Sequence, residues 1–219
     1  PMGPYEYKGL IMEERPDCWT NHHSIVNFKG QWYLFYHYNY YSPNFDKNRS
    51  ACIEKLEFNP DGTIKPVTMT LRGVGITKAT DKIQIDRYSK ISDGVKVDFV
   101  YANDPDTTKR FEGWEAIFSK KGDWVEYDDV DFGQNDNLAS FAIKAKFNTA
   151  KKTIVRVHVD SQTGPVVGEF STLKFPVGIE TSGSLKITGT KTKNPKGVHN
   201  VFVELVEGED VAIDWISFE

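Results

Sequence analysis

The pattern of apolar and polar positions along the chain is that of β-strands. In Lys121–Gly133, KGDWVEYDDVDFG, strand alternation puts Val125 and Tyr127 on one face and Trp124 and Glu126 on the other. The consecutive Asp128 and Asp129 break that alternation and predict a bulge before Val130 and Phe132 return to the core. FAIKAKF (141–147) alternates cleanly, with Phe141, Ile143, Ala145 and Phe147 inward and Lys144 and Lys146 outward. TIVRVHVD sets Val155, Val157 and Val159 on one face and Arg156 and His158 on the other, and VFVELV and VAIDWISF finish the chain in the same style. Few windows repeat apolar residues at spacings of three and four, so no helix is predicted. Residues 80–219 therefore read as a β-sandwich of jelly-roll type.

The first third of the chain is punctuated differently. Tyr5–Met12 reads as a first strand, followed by HSIVNF (23–28), a Lys29-Gly30 turn and QWYLFYHY (31–38); two apolar runs across a Gly-containing two-residue turn make a β-hairpin. Both faces of QWYLFYHY are apolar or aromatic, which predicts burial on both sides. ACIEKLEF (51–58) and IKPVTMT (64–70) add two more strands around the turn Asn59-Pro60-Asp61-Gly62. Four antiparallel strands of this length are about the size of one propeller blade. LRGVGITKAT (71–80) is Gly-containing and weakly patterned, so the boundary falls there, separating 1–76 from 80–219.

Composition narrows the function classes. The net charge of −4 and the lack of a basic segment argue against a nucleic-acid or anionic-membrane surface, and the longest apolar runs are far too short to span a bilayer. The opening PMGPYEYKGL lacks a signal peptide and reads as mid-protein, so the chain is expected to be a fragment. Cys18 and Cys52 match no metal-ligand spacing; they are either two buried free thiols or one disulfide.

TNHHSIVNFKGQWYLFYH, then Arg49, Cys52 and CIEKLEFNPDGTIKPV, resemble the last blade of a glycoside hydrolase family 43 five-bladed β-propeller. GDWVEYDDVDFG, FAIKAKF, TIVRVHVDSQTGPVVGEF, GVHNVFVEL and IDWISF resemble a family 6 carbohydrate-binding module, most specifically over Asp-Ser-x-Thr-Gly-Pro-x-x-Gly at 160–168. The fold class implied is all-β, a partial propeller blade followed by a sandwich. The resemblance implies a secreted or periplasmic parent, an inverting α-L-arabinofuranosidase or β-xylosidase acting on arabinoxylan-like polysaccharide. It places the family's catalytic Asp, Glu and assisting Asp in blades upstream, so this chain carries none and is expected to be inactive alone. Its partners are then a poly- or oligosaccharide and the missing N-terminal blades.

Residue by residue, the blade motif carries over onto His22, near the propeller axis, a cation and the sugar site. Glu13, Glu14, Asp46, Glu54 and Glu57 fall in no catalytic motif and are read as solvated surface. Tyr33 and Tyr36 read as core, whereas Tyr38, Tyr40 and Tyr41 on the following loop are candidates for sugar contact. In the sandwich, Gln84, Asp86 and Asp214 match the positions that hold a structural Ca²⁺ between the first and last strands, with backbone carbonyls and water completing its six to eight ligands. Phe118 takes the first aromatic position of the module's sugar cleft and Asp98 its acidic one. Two departures weaken that cleft: Phe175-Pro176-Val177-Gly178-Ile179 stands where the second aromatic belongs, and Ala212 replaces an Asn. Trp114 and Tyr101 offer an alternative platform. Three readings follow: a hydrolase fragment, a carbohydrate-binding module, or a sandwich that serves only to brace the blade.

Overall fold

The computed structural model describes the chain except for residues 1, 15–17, 19, 42–48, 135–137, 148–150, 173–184 and 192–194, and the side chains of 110, 111, 185–189 and 191. It divides into two compact units, Pro1–Val74 and Gly75–Glu219.

The first unit holds a three-stranded antiparallel sheet of β1 (Ser24–Phe28), β2 (Gln31–Tyr38) and β3 (Ser50–Leu56), in that order. The β1–β2 hairpin turns as predicted, with Lys29 and Gly30 both at positive φ (52° and 85°), the pair of values a two-residue hairpin turn needs. Leu34, Tyr36, Leu56 and Val67 form its core, flanked by Ile25, Cys52 and Met69. Two predicted strands are absent. Tyr5–Met12 is irregular apart from a bridge between Met12 and Val67, because Gly9 sits at φ 127°, outside strand geometry. Residues 64–70 make only isolated bridges, Ile64 to Phe58 and Val67 to Met12, since Pro66 has no N–H to give a ladder. Nor is β2 buried on both sides. Leu34 and Tyr36 point into the core, while Phe35 is 41% exposed and shares its face with exposed Val26 and Phe28.

The second unit is a sandwich built from β4 (Thr77–Lys78), β5 (Ile83–Gln84), β6 (Lys90–Ile91), β7 (Val95–Phe99), β8 (Trp114–Lys120), β9 (Trp124–Asp131), β10 (Phe141–Lys146), β11 (Ile154–Val159), β12 (Val166–Ser171), β13 (Leu185–Lys191), β14 (Val198–Glu207) and β15 (Glu209–Phe218). One sheet runs β4-β9-β14-β11-β12, with β6 on β9; the other runs β13-β10-β15-β8-β7, with β5 on β15. They join through a short β12–β13 pairing. The all-β expectation holds, the one addition among the described residues being a short 3-10 helix over Thr107–Glu112, capped by Asp106, which accepts from Thr108 N–H at 3.1 Å.

The core lies between the sheets and draws the alternate residues the pattern assigned to it: Val125, Val155, Val157, Val201 and Val203 from one, Phe141, Ile143, Ile213, Ile216 and Phe218 from the other. The predicted bulge is present. Asp129 has φ 56°, the β9–β14 register shifts there, and Asn200 ties it down by accepting from Asp129 N–H at 3.3 Å and donating to Glu126 at 3.2 Å. The 160–168 motif is the tight β11–β12 turn. A Cβ on Gly168 would lie 2.9 Å from Cγ of Phe141, so only glycine lets that ring seat.

Candidate functional site

Phe118 is not a sugar platform. It stands on β8 between Val95 and Val211, faces inward and is fully buried. A ring with no accessible face cannot stack on a pyranose. The alternation that puts Phe118 and Ala116 inward puts Glu115 and Ile117 on the outer face of the second sheet.

That outer face holds the polar cluster of the sandwich. Lys146 Nζ donates to Glu115 Oε1 at 2.8 Å and to the carbonyl of Val100. Asp98 pairs with Glu115 across β7–β8, is exposed, and accepts from the Phe99 N–H at 2.7 Å. Lys144 Nζ lies 2.7 Å from Asp214 Oδ2. Desolvation lifts the Glu115 carboxyl above the ordinary glutamate value against the pull of Lys146, with Asp214 and Asp98 adding to the rise. Glu115 Oε2 is buried with no hydrogen-bond partner among the described residues. Tyr101 is 37% exposed, its ring 6.0 Å from Lys146 Nζ and 5.9 Å from Lys109 Nζ. Trp114 is half-buried and stacks on Phe99 with centroids 4.1 Å apart. The structure thus brings Glu115 and Tyr101 to Lys146, sets Asp98 beside Glu115, and turns Trp114 toward Phe99. Phe175–Ile179 lie outside the described residues. Ala212 sits opposite Ile117 and Lys146, offering a methyl where an amide was the family's choice.

Sequence reading missed Glu115 and Lys146. The signal was present in WEAIF, where one acid interrupts an apolar strand, and in Lys146 at an outward position of the alternating β10. What no pattern reveals is that the two meet across strands.

The three residues proposed for calcium lie on adjoining strands. Gln84 pairs with Trp215, and Ile85 N–H donates to the Asp214 carbonyl at 3.1 Å. Asp86 and Asp214 are both buried, at 2% and 7% exposure. Each has a monovalent cation beside it, Arg87 Nε at 3.3 Å for Asp86 and Lys144 for Asp214. Two carboxylates and an amide are oxygen donors of the kind a hard divalent cation takes, and the fit extends to that donor chemistry alone: each carboxylate already faces a cationic side chain, and no group of three or more His, Cys, Asp or Glu among the described residues could hold a metal ion.

In the first unit, His22 is exposed and meets His37 edge-on, ring centroids 5.5 Å apart. Both ring nitrogens of His37 face N–H donors, His22 N at 3.2 Å and Arg49 Nε at 3.3 Å. A neutral imidazole can accept from one of them and an imidazolium from neither. Burial and the Arg49 charge accordingly hold His37 below the usual histidine value. His37 lines a cavity of about 410 Å³ with Glu13, Glu14, Cys18 and Asn21. Cys18 and Cys52 are free thiols, both half-buried. Glu54 is not solvated surface. It is buried and accepts from Tyr36 OH at 3.2 Å, Thr70 N–H at 2.9 Å and Thr70 Oγ1 at 2.7 Å. Asp46 lies outside the described residues, and Glu57 is exposed beside Lys65. Tyr38 and Tyr41 are buried, with Tyr40 packed between them at 5.8 Å from each.

A two-sheet β-sandwich with a filled core and a polar, aromatic-edged outer face is the build of a carbohydrate-binding module. Residues 95–219 match the family model for Carbohydrate binding module (family 6), and the chain belongs to that family. Over 93% of its length it is 28% identical to an arabinoxylan arabinofuranohydrolase of Paenibacillus polymyxa, and it spans 32% of that protein. A stretch making up 31% of the chain is 45% identical to a beta-xylosidase of Xylanibacter ruminicola, covering 21% of it. Among solved structures, a glycoside hydrolase family 43 arabinoxylan arabinofuranohydrolase from Bacillus subtilis in complex with cellotetraose has the same fold. The TM-score is 0.59 at 24% identity, over 100% of this chain and 45% of that one. The two resemblances seen in the sequence are therefore both present. The chain itself spans about a third of the length of the Paenibacillus relative.

Proposed function

We propose that the chain works within a longer inverting glycoside hydrolase that removes arabinofuranosyl or xylosyl groups from arabinoxylan-like polysaccharide, as an α-L-arabinofuranosidase or β-xylosidase. In this reading the first unit supplies one propeller blade, with His22 near the active centre, and the sandwich holds the glycan. The observation that carries it is that one alignment to an arabinoxylan arabinofuranohydrolase runs through both units. The apolar face of Val26, Phe28 and Phe35 is consistent with it, being the surface on which further blades of the same protein would pack. The test is to assay the 219-residue chain and a version with the preceding blades on aryl α-L-arabinofuranosides, aryl β-xylosides and arabinoxylan. The longer protein should hydrolyse them with inversion and the chain should not; turnover by the chain would overturn the fragment reading.

The same reading places the protein outside the cytoplasm, secreted or periplasmic, where the polymer is, which cell fractionation checks. It also assigns Gln84, Asp86 and Asp214 to a Ca²⁺ that ties β5 to β15, a structural and not a chemical role. The buried Phe118 and the methyl of Ala212 favour a second reading, in which the sandwich only braces the blade. Affinity electrophoresis in soluble arabinoxylan separates the two, since a brace would migrate unretarded.

A further inference from the structure

We propose that Lys146 is the central hydrogen-bond donor of a neutral-glycan subsite on the outer face of the second sheet. The Tyr101 ring serves as its platform, Asp98 as its acceptor, and Glu115 as the residue that positions the ammonium. The proposal rests on the reading of the sandwich as a glycan holder; it keeps Asp98, the acidic position expected beside Phe118, takes Tyr101 as the ring in place of the buried Phe118, and adds Lys146 and Glu115.

An ammonium carries three protons. Two are engaged, by Glu115 Oε1 at 2.8 Å and by the Val100 carbonyl, which leaves the third for a ligand. The anchor is dry and the donor is wet: the Glu115 side chain is 6% exposed and that of Lys146 29%. A lysine fixed at two points is already ordered, so binding does not have to freeze a long flexible arm. Tyr101 brings a 37% exposed ring whose centre is 6.0 Å from Nζ, and the apolar C–H face of a sugar packs on such a ring. Asp98, the cross-strand neighbour of Glu115, uses Oδ1 for the Phe99 N–H and has Oδ2 to accept a hydroxyl proton. Ala212, opposite Lys146 on β15, adds only a methyl.

The charges choose the ligand class. Asp98, Glu115 and Asp214 all bear on this face, Lys144 is committed to Asp214, and Lys109 to Asp104. Glu115 pairs with Lys146, and Asp98 and Asp214 act on Glu115, so the field on this face is acidic, which disfavours uronic acids and leaves neutral sugars, whose hydroxyls both donate and accept.

Xylotetraose titrated calorimetrically into the full chain, its Lys146→Met and Glu115→Gln variants and a Lys90→Met control on the opposite sheet tests this. Lys146→Met keeps the packing stem and should weaken binding about tenfold or more, the loss of one charge-assisted hydrogen bond. Lys90→Met should leave affinity unchanged. In the unsubstituted chain, NMR signals of the Lys146 Cε and the Tyr101 ring should move on adding xylotetraose, a readout that does not depend on any variant folding. Glu115→Gln should shift the Lys146 Cε signal before any sugar is added and weaken binding several-fold without lowering the melting temperature. Wild-type affinity in Lys146→Met, unmoved Lys146 and Tyr101 signals at saturation, a loss in Lys90→Met instead, or tighter binding of oligogalacturonate would overturn the proposal while leaving glycan binding standing. No binding of any neutral oligosaccharide by the unsubstituted chain would overturn both.

Discussion

The two units solve the same problem, what to do with the second face of a β-sheet, in opposite ways. In the sandwich each sheet turns its apolar face to the other, and β8, β10, β14 and β15 contribute fully buried residues to one core. In the first unit a lone three-stranded sheet buries Leu34, Tyr36 and Leu56 on one side and leaves Phe28 60% and Phe35 41% exposed on the other. A sheet with two apolar faces and one cover is built for company, whereas the sandwich is complete as it stands. The difference also sorts the polar groups. Glu54 is used inside the first unit to hold Tyr36 and Thr70, while Lys146 and Glu115 decorate the outside of a core that does not need them.

Substitutions can break that contrast, the largest effect first. Phe118→Ala should destabilise the sandwich by about 3–5 kcal/mol through lost burial and the cavity left behind. Affinity for xylotetraose should survive at temperatures where the variant is folded; equal stability with lost affinity would restore Phe118 to a binding role. If Gln84, Asp86 and Asp214 hold the Ca²⁺ proposed for them, a chelator should lower the stability of the sandwich and not of the first unit, by about 2.7 kcal/mol for an ion at a hundredfold over its Kd, read as a lower melting temperature. An identical melt with and without chelator would remove the ion from Gln84, Asp86 and Asp214. Glu54→Ala leaves Tyr36 OH and Thr70 without an acceptor and should cost about 1–3 kcal/mol, confined to the first unit. Loss of protection in the sandwich would count against the separation of the two cores.

The pH dependence sharpens the comparison further. The Glu115 carboxyl is raised in the folded chain, chiefly by desolvation, so its protonated form is the one the fold prefers. The stability this contributes is fully present below the ordinary glutamate value and is lost as pH rises through the raised one. Glu115→Gln, which stays neutral, should therefore gain on the unsubstituted chain as pH rises from acid to neutral in parallel thermal melts. A constant difference across that range would show that burial does not govern the group. Smallest of all, Phe35→Ser in this chain should change stability by no more than about 0.5 kcal/mol, since it removes an exposed ring.

Much of this was legible in the residues. The alternation of β10, β11 and β14 gave the inward sets directly, and Asp128-Asp129 gave the bulge, because a period of two leaves no ambiguity about faces. The failures have local causes. Gly9 and Pro66 sit inside runs whose apolar content suggested strands, and backbone conformation or a missing N–H overrode composition. Phe118 was placed by family position, although the alternation of WEAIFSK already put it on the core side with Ala116. The Lys146–Glu115 pair joins strands 31 residues apart in the chain, and no local pattern encodes such a meeting.

Hydrogen–deuterium exchange of the isolated 219-residue chain tests the central contrast most directly. Amides of β10, β14 and β15 should exchange only through global opening of the sandwich, while those of β1 and β2 should exchange orders of magnitude faster through sub-global opening of a half-covered sheet. Equal protection in the two units would contradict the account, because a sheet with one uncovered apolar face should open more readily than a sandwich whose core is filled.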